Sequence, residues 1–234
     1  MGQVGLRWGR LEAPRRSAFA GIVLTAALFA VVLVAVVAHW PLLRALDLGT
    51  AREAAGVGRS LPWWVPLWQT VSWACSPWTF RVLAIGALVV VWTVRRPTAL
   101  SHRGAVSKRA LIVLVGGALP LVVKAAVDRP RPAEALVVAA QSSFPSAHAF
   151  GAAVAALCVV SLVRGRAAYA AAVAASVVVL LVPAARVCLA VHYVSDVTAG
   201  VLLGIVWFGV ASFALGARER RGFSASDGAR ERSR

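Results

Sequence analysis

Long uncharged, apolar runs alternate with short polar segments along the chain. A run of about 17 or more apolar residues is long enough to cross the hydrocarbon core of a bilayer as a helix. Six segments are predicted to do so: Ser17–Ala38, Ser76–Val94, Ala110–Val127, Ala147–Val163, Ala167–Ala190 and Val197–Ala217. The predicted fold class is therefore all-α, a polytopic membrane protein with six transmembrane helices.

The segment between the first two spans, Pro41–Cys75, has a different pattern. Its second half is rich in tryptophan and is interrupted by Pro62 and Pro66. Tryptophan is enriched at membrane–water interfaces, so we expect a short interfacial helix here, with a re-entrant hairpin as the alternative. The first apolar run is longer than the core of about 7–15 residues found in a signal peptide, which favours a helix that is retained.

Charge adds an orientation to this picture. Only 15% of the residues are charged, yet the net charge is +16, and the basic residues cluster in four regions. These are the tail 1–16, the loop 95–109, the turn 164–166 and the tail 218–234. All four lie on one side of a six-span bundle, and retention of basic loops in the cytoplasm explains them better than nucleic-acid binding does.

The predicted organisation follows from this orientation. Residues 1–16 form a basic cytoplasmic tail, residues 17–217 form the membrane domain, and residues 218–234 form a basic, disordered cytoplasmic tail. The protein is expected in the plasma membrane with both termini inside. The lipid bilayer is its expected environment, no nucleic-acid partner is expected, and the sequence leaves the oligomeric state open.

Other features indicate packing. Three cysteines without a regular spacing predict neither a disulfide framework nor a zinc site. Gly200 and Gly204 form a pair of small residues four apart in the sixth span, which is typical of close helix–helix contact. The Ser76–Pro77 pair is a suitable cap and first-turn pair for the second span.

Polar residues cluster at the predicted outer ends of spans three to six. The group comprises Lys124, Asp128, Arg129, Arg131, Ser146, His148, Arg186, His192 and Asp196. Ionisable groups at membrane depth are costly and usually mark function. Several cations with few acids favour a multiply charged anion such as phosphate, and a helix starting after Ser146 would add backbone N–H groups.

The two histidines of this cluster indicate phosphoryl transfer. Such a reaction needs an in-line nucleophile, stabilisation of charge and a proton for the leaving group. His192 and Asp196 are four apart, so in helical geometry the carboxylate would orient the imidazole. This favours His192 as nucleophile and His148 as general acid. No metal or other cofactor is required, because the chain has no ligand cluster with suitable spacing.

Three motifs in this order resemble a known family. Lys124 to Pro132 resembles K-x6-R-P, Pro145 to His148 resembles P-S-G-H, and Ala185 to Asp196 resembles S-R-x5-H-x3-D. Together they resemble the signature of the type 2 phosphatidic acid phosphatase superfamily, which includes lipid phosphate phosphatases and vanadium haloperoxidases. The motif-bearing part covers residues 124–196, and the six-span layout extends the resemblance to most of the chain.

The resemblance implies a metal-independent mechanism through a phosphohistidine. His192 would be the nucleophile, Asp196 its partner and His148 the acid/base. The phosphate would be bound by a set of four residues: Lys124, Arg131, Ser146 and Arg186. Arg129 is a secondary candidate that would add charge.

Two positions depart from the family pattern. Ala147 replaces the usual glycine; its backbone N–H still donates, so it is a secondary site candidate, but a left-handed conformation there would cost about 1 kcal/mol or more. Ala185 replaces the usual serine and removes a hydroxyl.

The expected function is hydrolysis of a lipid phosphate or diphosphate at the outer membrane face. Candidate substrates are undecaprenyl pyrophosphate, phosphatidic acid and phosphatidylglycerol phosphate, and the first is slightly favoured. Two alternatives remain open: a vanadate-dependent, haloperoxidase-like enzyme, and a non-catalytic lipid-phosphate binding or transport protein.

Overall fold

The computed structural model describes residues 9–93 and 99–231, with side chains for residues 16–93 and 103–216. Within this part of the chain every regular element is an α-helix, which confirms the predicted all-α fold class. The helices are α1 (Gly9–Val37), α2 (Pro41–Ser60), α3 (Trp64–Ala74), α4 (Pro77–Thr93), α5 (Ala99–Gly116), α6 (Leu119–Val127), α7 (Ala147–Leu162), α8 (Arg166–Cys188) and α9 (Val194–Glu231).

Five segments of the described residues are long and apolar enough to cross a bilayer. They are Arg16–Val37, Trp64–Thr93, Arg103–Val127, Arg166–Cys188 and Val194–Gly216. Helix α7 is apolar but has only 16 residues, which span about 24 Å at 1.5 Å per residue. The predicted count of six spans therefore stays a prediction, as does the division into membrane domain and tails.

Helix α7 lies at the centre of the bundle, packed against α8 and α9. Its buried residues are mostly small: Ala149, Phe150, Ala152, Ala153, Val154, Ala156 and Cys158. The predicted contact role of Gly200 and Gly204 is confirmed. A Cβ added at Gly200 would lie 2.5 Å from the carbonyl oxygen of Ser146, and one at Gly204 would lie 2.9 Å from the Cβ of Ala153.

The predicted third span is divided into two helices. Helix α5 ends at Gly116 and α6 begins at Leu119, so Pro120 stands in the first turn of α6. The proline ring collides with the carbonyl four residues earlier, which here belongs to Gly116, so the break occurs where the sequence requires it. The half-buried Arg81 donates to the carbonyl of Gly117 at 3.4 Å, close to this break.

The segment between the first two predicted spans forms two helices. Helix α2 buries one face, and the tryptophan-rich α3 packs against α8. The indole Nε1 of Trp64 donates to the carbonyl of Cys188 at 2.8 Å, which fixes α3 beside the end of α8. Ser76 caps α4 as predicted, since its Oγ accepts from the backbone N–H of Thr79 at 3.2 Å.

Candidate functional site

Two hydrogen bonds to backbone carbonyls bring the three motif segments together at one end of the bundle. The backbone N–H of Ser146 donates to the carbonyl of Asp196 at 3.0 Å, which joins the start of α7 to the start of α9. Arg131 Nη1 donates to the carbonyl of Val191 at 2.6 Å, which joins the α6–α7 loop to the α8–α9 turn. The sequence predicted this convergence from helix ends alone.

His192 is held between a cation and a carboxylate. Its Nδ1 lies 3.4 Å from Asp196 Oδ2, and its Nε2 lies 3.1 Å from Arg131 Nη1. A guanidinium can only donate, so Nε2 accepts and Nδ1 carries the proton toward Asp196. This tautomer leaves Nε2 unprotonated, as a nucleophile requires; its lone pair here accepts from Arg131 and can attack only when a bound anion takes that donor.

The helical geometry expected for this pair is only partly found. His192 lies in the turn before α9, whereas Asp196 lies in the first turn of α9. The contact forms because Asp196 folds back over the helix start, where Oδ2 also accepts from the backbone N–H of Tyr193 at 2.9 Å. Asp196 thus stabilises the N-terminus of α9 and orients His192 with the same carboxylate.

Burial keeps His192 neutral. Its side chain is 2% exposed, and burial, opposed by Asp196, lowers the pKa of His192 to about 4. The charges of Arg186 and Arg131 act in the same direction as burial. The imidazole is therefore neutral at neutral pH, with its one proton on Nδ1, in the form that can attack a phosphorus atom.

Arg186 has an unused donor in the interior. Its Nη1 donates to Ser72 Oγ on α3 at 2.6 Å, while its buried Nε has no hydrogen-bond partner among the described residues. An unpaired buried donor on a guanidinium costs free energy unless a ligand completes it. The geometry therefore suits an anion that accepts from this side of Arg186.

Lys124 and Arg131 are fixed by backbone carbonyls of the α6–α7 loop. Lys124 is buried, and its Nζ donates to the carbonyls of Ser142 and Ser143. Arg131 donates from Nε to the carbonyl of Gln141 at 3.0 Å and from Nη2 to that of Ala140 at 2.9 Å. With no carboxylate paired to Lys124 or Arg131 among the described contacts, both retain positive charge for an anionic ligand.

The start of α7 supplies the remaining candidates. Ser146 is the N-cap, and its Oγ accepts from the backbone N–H of Ala149 at 3.5 Å. His148 follows in the first turn, half-buried, and lies within electrostatic range of Arg131, Arg186 and His192. Ala147 is the first helical residue, so the left-handed conformation considered from the sequence is not adopted and its cost does not arise.

Sequence reasoning missed a buried acid beneath this cluster. Asp47 on α2 is 1% exposed and accepts from the backbone N–H of Ser195 at 3.0 Å. Arg129, expected to add charge for the ligand, instead forms ion pairs with Asp196 at 2.6 Å and Asp47 at 2.8 Å. The signal for Asp47 was its spacing of four from Ala51, which places an acid on a face of small residues.

Comparison with known proteins gives the family of the chain. The model of the PAP2 superfamily matches residues 105–220. The decaprenylphosphoryl-5-phosphoribose phosphatase of Mycobacterium tuberculosis, from strains CDC 1551 / Oshkosh and H37Rv, is 34% identical over 148 residues, which cover 62% of this chain and 76% of the relative.

A solved structure shows the same fold. The transmembrane PAP2-type phosphatidylglycerolphosphate phosphatase from Bacillus subtilis superposes with a TM-score of 0.68 at 23% identity, covering 86% of this chain and 96% of that one. The agreement extends well beyond the motif segments, to the helices that carry them. The chain therefore belongs to the PAP2 superfamily and is a multi-pass membrane phosphatase of that family.

Proposed function

We propose that the protein hydrolyses a lipid-linked phosphate or diphosphate through a phosphohistidine at His192. The observation that carries this proposal is the unprotonated Nε2 of His192, which accepts from Arg131 Nη1 at 3.1 Å while Nδ1 faces Asp196. A nucleophile directed at a cation is suited to an anionic electrophile, because the cation binds the charge that otherwise repels the attack.

The proposed reaction has two steps. In the first, a bond forms between His192 Nε2 and phosphorus, and the bond from phosphorus to the leaving oxygen breaks. His148, in the protonated form that the bound anion favours, gives that oxygen a proton and becomes neutral. In the second, water attacks phosphorus while His148 takes its proton, and the N–P bond breaks to release inorganic phosphate. The proton on His192 Nδ1 stays on that nitrogen throughout and faces Asp196. The carboxylate therefore stabilises the positive charge that develops on the ring.

Four groups are proposed to bind the phosphoryl oxygens: Lys124, Arg131, Arg186 and the N-terminal turn of α7 after Ser146. Arg186 supports this role through its unpaired Nε, and the α7 N-terminus adds backbone donors and the helix dipole. Three cations around a group of two or three negative charges balance it without a matching set of acids.

An apolar path suits the lipid tail. A small cavity is lined by Ala147, Phe80, Val113, Gly151 and, as its one charged residue, Arg81. Phe80 and Val113 also line an apolar cavity of about 320 Å³ between α4, α5, α7 and α8. A hydrocarbon chain attached to a phosphate at the site would find apolar walls along this route.

We propose a polyprenyl carrier as the lipid and the outer membrane face as the location. Support for the carrier comes from the relative named for decaprenylphosphoryl-5-phosphoribose, which is 34% identical. Support for the outer face comes from the basic loops. They lie at the end of the predicted spans opposite to the site, and basic loops are usually cytoplasmic.

The experiment is phosphate release in detergent with EDTA present. Native protein is compared with His192→Ala on a panel of four lipids: decaprenylphosphoryl-5-phosphoribose, undecaprenyl pyrophosphate, phosphatidic acid and phosphatidylglycerol phosphate. His39→Asn is the matched control, since His39 is exposed and its left-handed backbone tolerates asparagine.

We expect release by the native protein and by His39→Asn, fastest on the polyprenyl substrates, and none by His192→Ala. With phosphorus-labelled substrate, an acid-labile label should be trapped on the native protein. Release by His192→Ala at the native rate would show that another group attacks, and loss of native activity in EDTA would show that a metal takes part.

A further inference from the structure

Asp47 is a buried carboxylate outside the three motif segments. It lies on α2 and accepts three hydrogen bonds: from the backbone N–H of Ser195 at 3.0 Å, from Ser195 Oγ at 2.5 Å and from Arg129 Nη2 at 2.8 Å. A carboxylate so removed from water is stable only when its partners compensate the lost hydration. Arg129 is the charged partner that does so.

Arg129 connects Asp47 to the partner of the nucleophile. Its Nη1 donates to Asp196 Oδ1 at 2.6 Å, and its Nη2 donates to Asp47 Oδ2 at 2.8 Å. The guanidinium also lies over the ring of Tyr193, 4.2 Å from the ring centroid. Because the guanidinium is planar and rigid, the hydrogen bond of Nη2 to Asp47 fixes the direction in which Nη1 donates to Asp196.

The chain of contacts ends on His192. Asp196 accepts from Arg129 on Oδ1 and faces His192 Nδ1 with Oδ2 at 3.4 Å. Rotation of the Asp196 carboxylate would therefore move both contacts together. Asp47 is three contacts away from the imidazole, and each contact is charged or hydrogen-bonded and buried.

Asp47 does not face the phosphate-binding groups. The cavity of about 300 Å³ beside it is lined by residues of α1, of α2 and of the turn between them, together with Arg129, Pro130 and Tyr193. Lys124, Arg131 and Arg186 do not line that cavity. An effect of Asp47 on turnover must therefore pass through Arg129 or Ser195.

We propose that Asp47 is a positioning residue that holds Arg129 so that Asp196 keeps His192 in the Nδ1–H tautomer. The role of His192 rests on the function proposed above, whereas the tautomer and its dependence on Asp47 do not. Helix α2 thereby belongs to the catalytic apparatus, although none of the motifs includes it.

The kinetic test is Asp47→Asn, which keeps the side-chain shape and removes the charge. We expect kcat to fall about tenfold or more through loss of orientation, with KM changed by less than about twofold. Glu53→Gln is the matched control, an exposed acid on the same helix, and should retain native kinetics. Should Asp47→Asn fail to fold in detergent, Asp47→Glu replaces it, since it keeps the charge and displaces Arg129.

A double-mutant cycle identifies the route. In an Arg129→Lys background the ammonium cannot bridge both carboxylates, so Asp47→Asn should reduce kcat by less than about twofold further. A full tenfold loss in that background would overturn the proposal, because Asp47 would then act without Arg129. An equal rise in KM would also overturn it, because Asp47 would then affect substrate binding.

A spectroscopic readout separates this proposal from the proposed function. The chain has four histidines, and the nitrogen-15 NMR signals of His192 are identified by their absence in His192→Ala. The native spectrum should show a protonated Nδ1 and an unprotonated Nε2. In Asp47→Asn both nitrogen signals should shift toward the average of the two tautomers. Native signals in Asp47→Asn would overturn the proposal even if the protein hydrolysed no lipid tested, whereas absent turnover with the expected shift would count against the function alone.

Discussion

The backbone N–H of Ser146 donates to the carbonyl of Asp196 at 3.0 Å. This contact joins the N-terminal turns of α7 and α9. The first carries His148, and the second carries Asp196 and directly follows the turn that holds His192. Close approach of the two helices is possible because Gly200, one turn beyond Asp196, has no side chain between them. A Cβ at Gly200 would lie 2.5 Å from the carbonyl oxygen of Ser146.

Gly200→Ala should therefore damage both the fold and the site. The clash is with backbone, which cannot rotate away, so we expect a loss of about 1–3 kcal/mol in stability. We also expect a fall in kcat, since the start of α7 must move away from α9. Thermal unfolding in detergent and phosphate release measure the two effects.

The matched control is Gly86→Ala on α4, where an added Cβ meets nothing within 4 Å. It should leave stability equal or higher, because alanine loses less backbone entropy than glycine in a helix. Equal behaviour of the two variants would show that the α7–α9 contact is looser than its geometry indicates.

Ser72→Ala tests the support of Arg186. Ser72 Oγ accepts from Arg186 Nη1 at 2.6 Å, so its loss frees a buried guanidinium that is proposed to bind the phosphate. We expect KM to rise about threefold to tenfold, which corresponds to the roughly 0.5–1.5 kcal/mol of one hydrogen bond. Substrate titrations of phosphate release measure it.

The control for this variant is Thr70→Ala on the same helix, since Thr70 is exposed and bonds only to the carbonyl of Pro66 at 2.8 Å among its described contacts. It should retain the native KM. If Ser72→Ala also retained the native KM, Ser72 would have no part in positioning Arg186.

The fold class and the clustered motif residues were predictable because the signals are local. Apolar runs define helices without any knowledge of their partners, and polar residues at the ends of neighbouring runs must meet if the helices are antiparallel. The break before Pro120 is also a local effect, since the proline removes a hydrogen bond of its own helix.

The network beneath His192 was not predictable, because it joins residues far apart in the chain. Asp47 and Ser195 are 148 residues apart and Arg186 and Ser72 are 114 apart. No spacing rule connects such pairs, and only the packing of α2 and α3 against the bundle brings them together. Arg129 was interpreted as a ligand group because the two acids that bind it could not be foreseen together.

The orientation of the site is testable with single cysteines. In a background with Cys75, Cys158 and Cys188 replaced by alanine, Ala135→Cys should react with an impermeant maleimide added to intact cells. Ala135 is exposed in the loop between α6 and α7, which the basic-loop pattern assigns to the outside.

The partner variant is Gly104→Cys near the cytoplasmic loop, where the position is exposed and an added Cβ meets nothing within 4 Å. It should react only after the membrane is permeabilised. Labelling of both positions from the same side would contradict the topology, and the reverse pattern would place the site in the cytoplasm.

The neutral state of His192 predicts how stability and activity depend on pH. Burial lowers the pKa of His192 to about 4, whereas an unfolded histidine titrates near about 6.5. Between these values the unfolded chain binds the additional proton, so stability should fall as the pH drops, by up to about 1.4 kcal/mol per unit. The contribution of this group is complete above about pH 6.5 and is lost progressively as the pH falls toward 4. His192→Gln should show a shallower loss of thermal stability from pH 7 to pH 4.5 than the native protein.

The same shift fixes the acid limb of kcat/KM, which reports the ionisation of the free protein. A nucleophile with a pKa of about 4 stays active well below pH 6. The substrate phosphate also titrates near about pH 6, so the pH profile is measured with a monophosphate and with a diphosphate. An acid limb caused by the substrate should lie at a different pH for each of them. An acid limb caused by His192 should lie at the same pH for both. A limb fixed near pH 6.5 on both substrates would mean that the imidazole is hydrated when substrate arrives, and that the buried arrangement around Arg131 and Asp196 opens before the reaction.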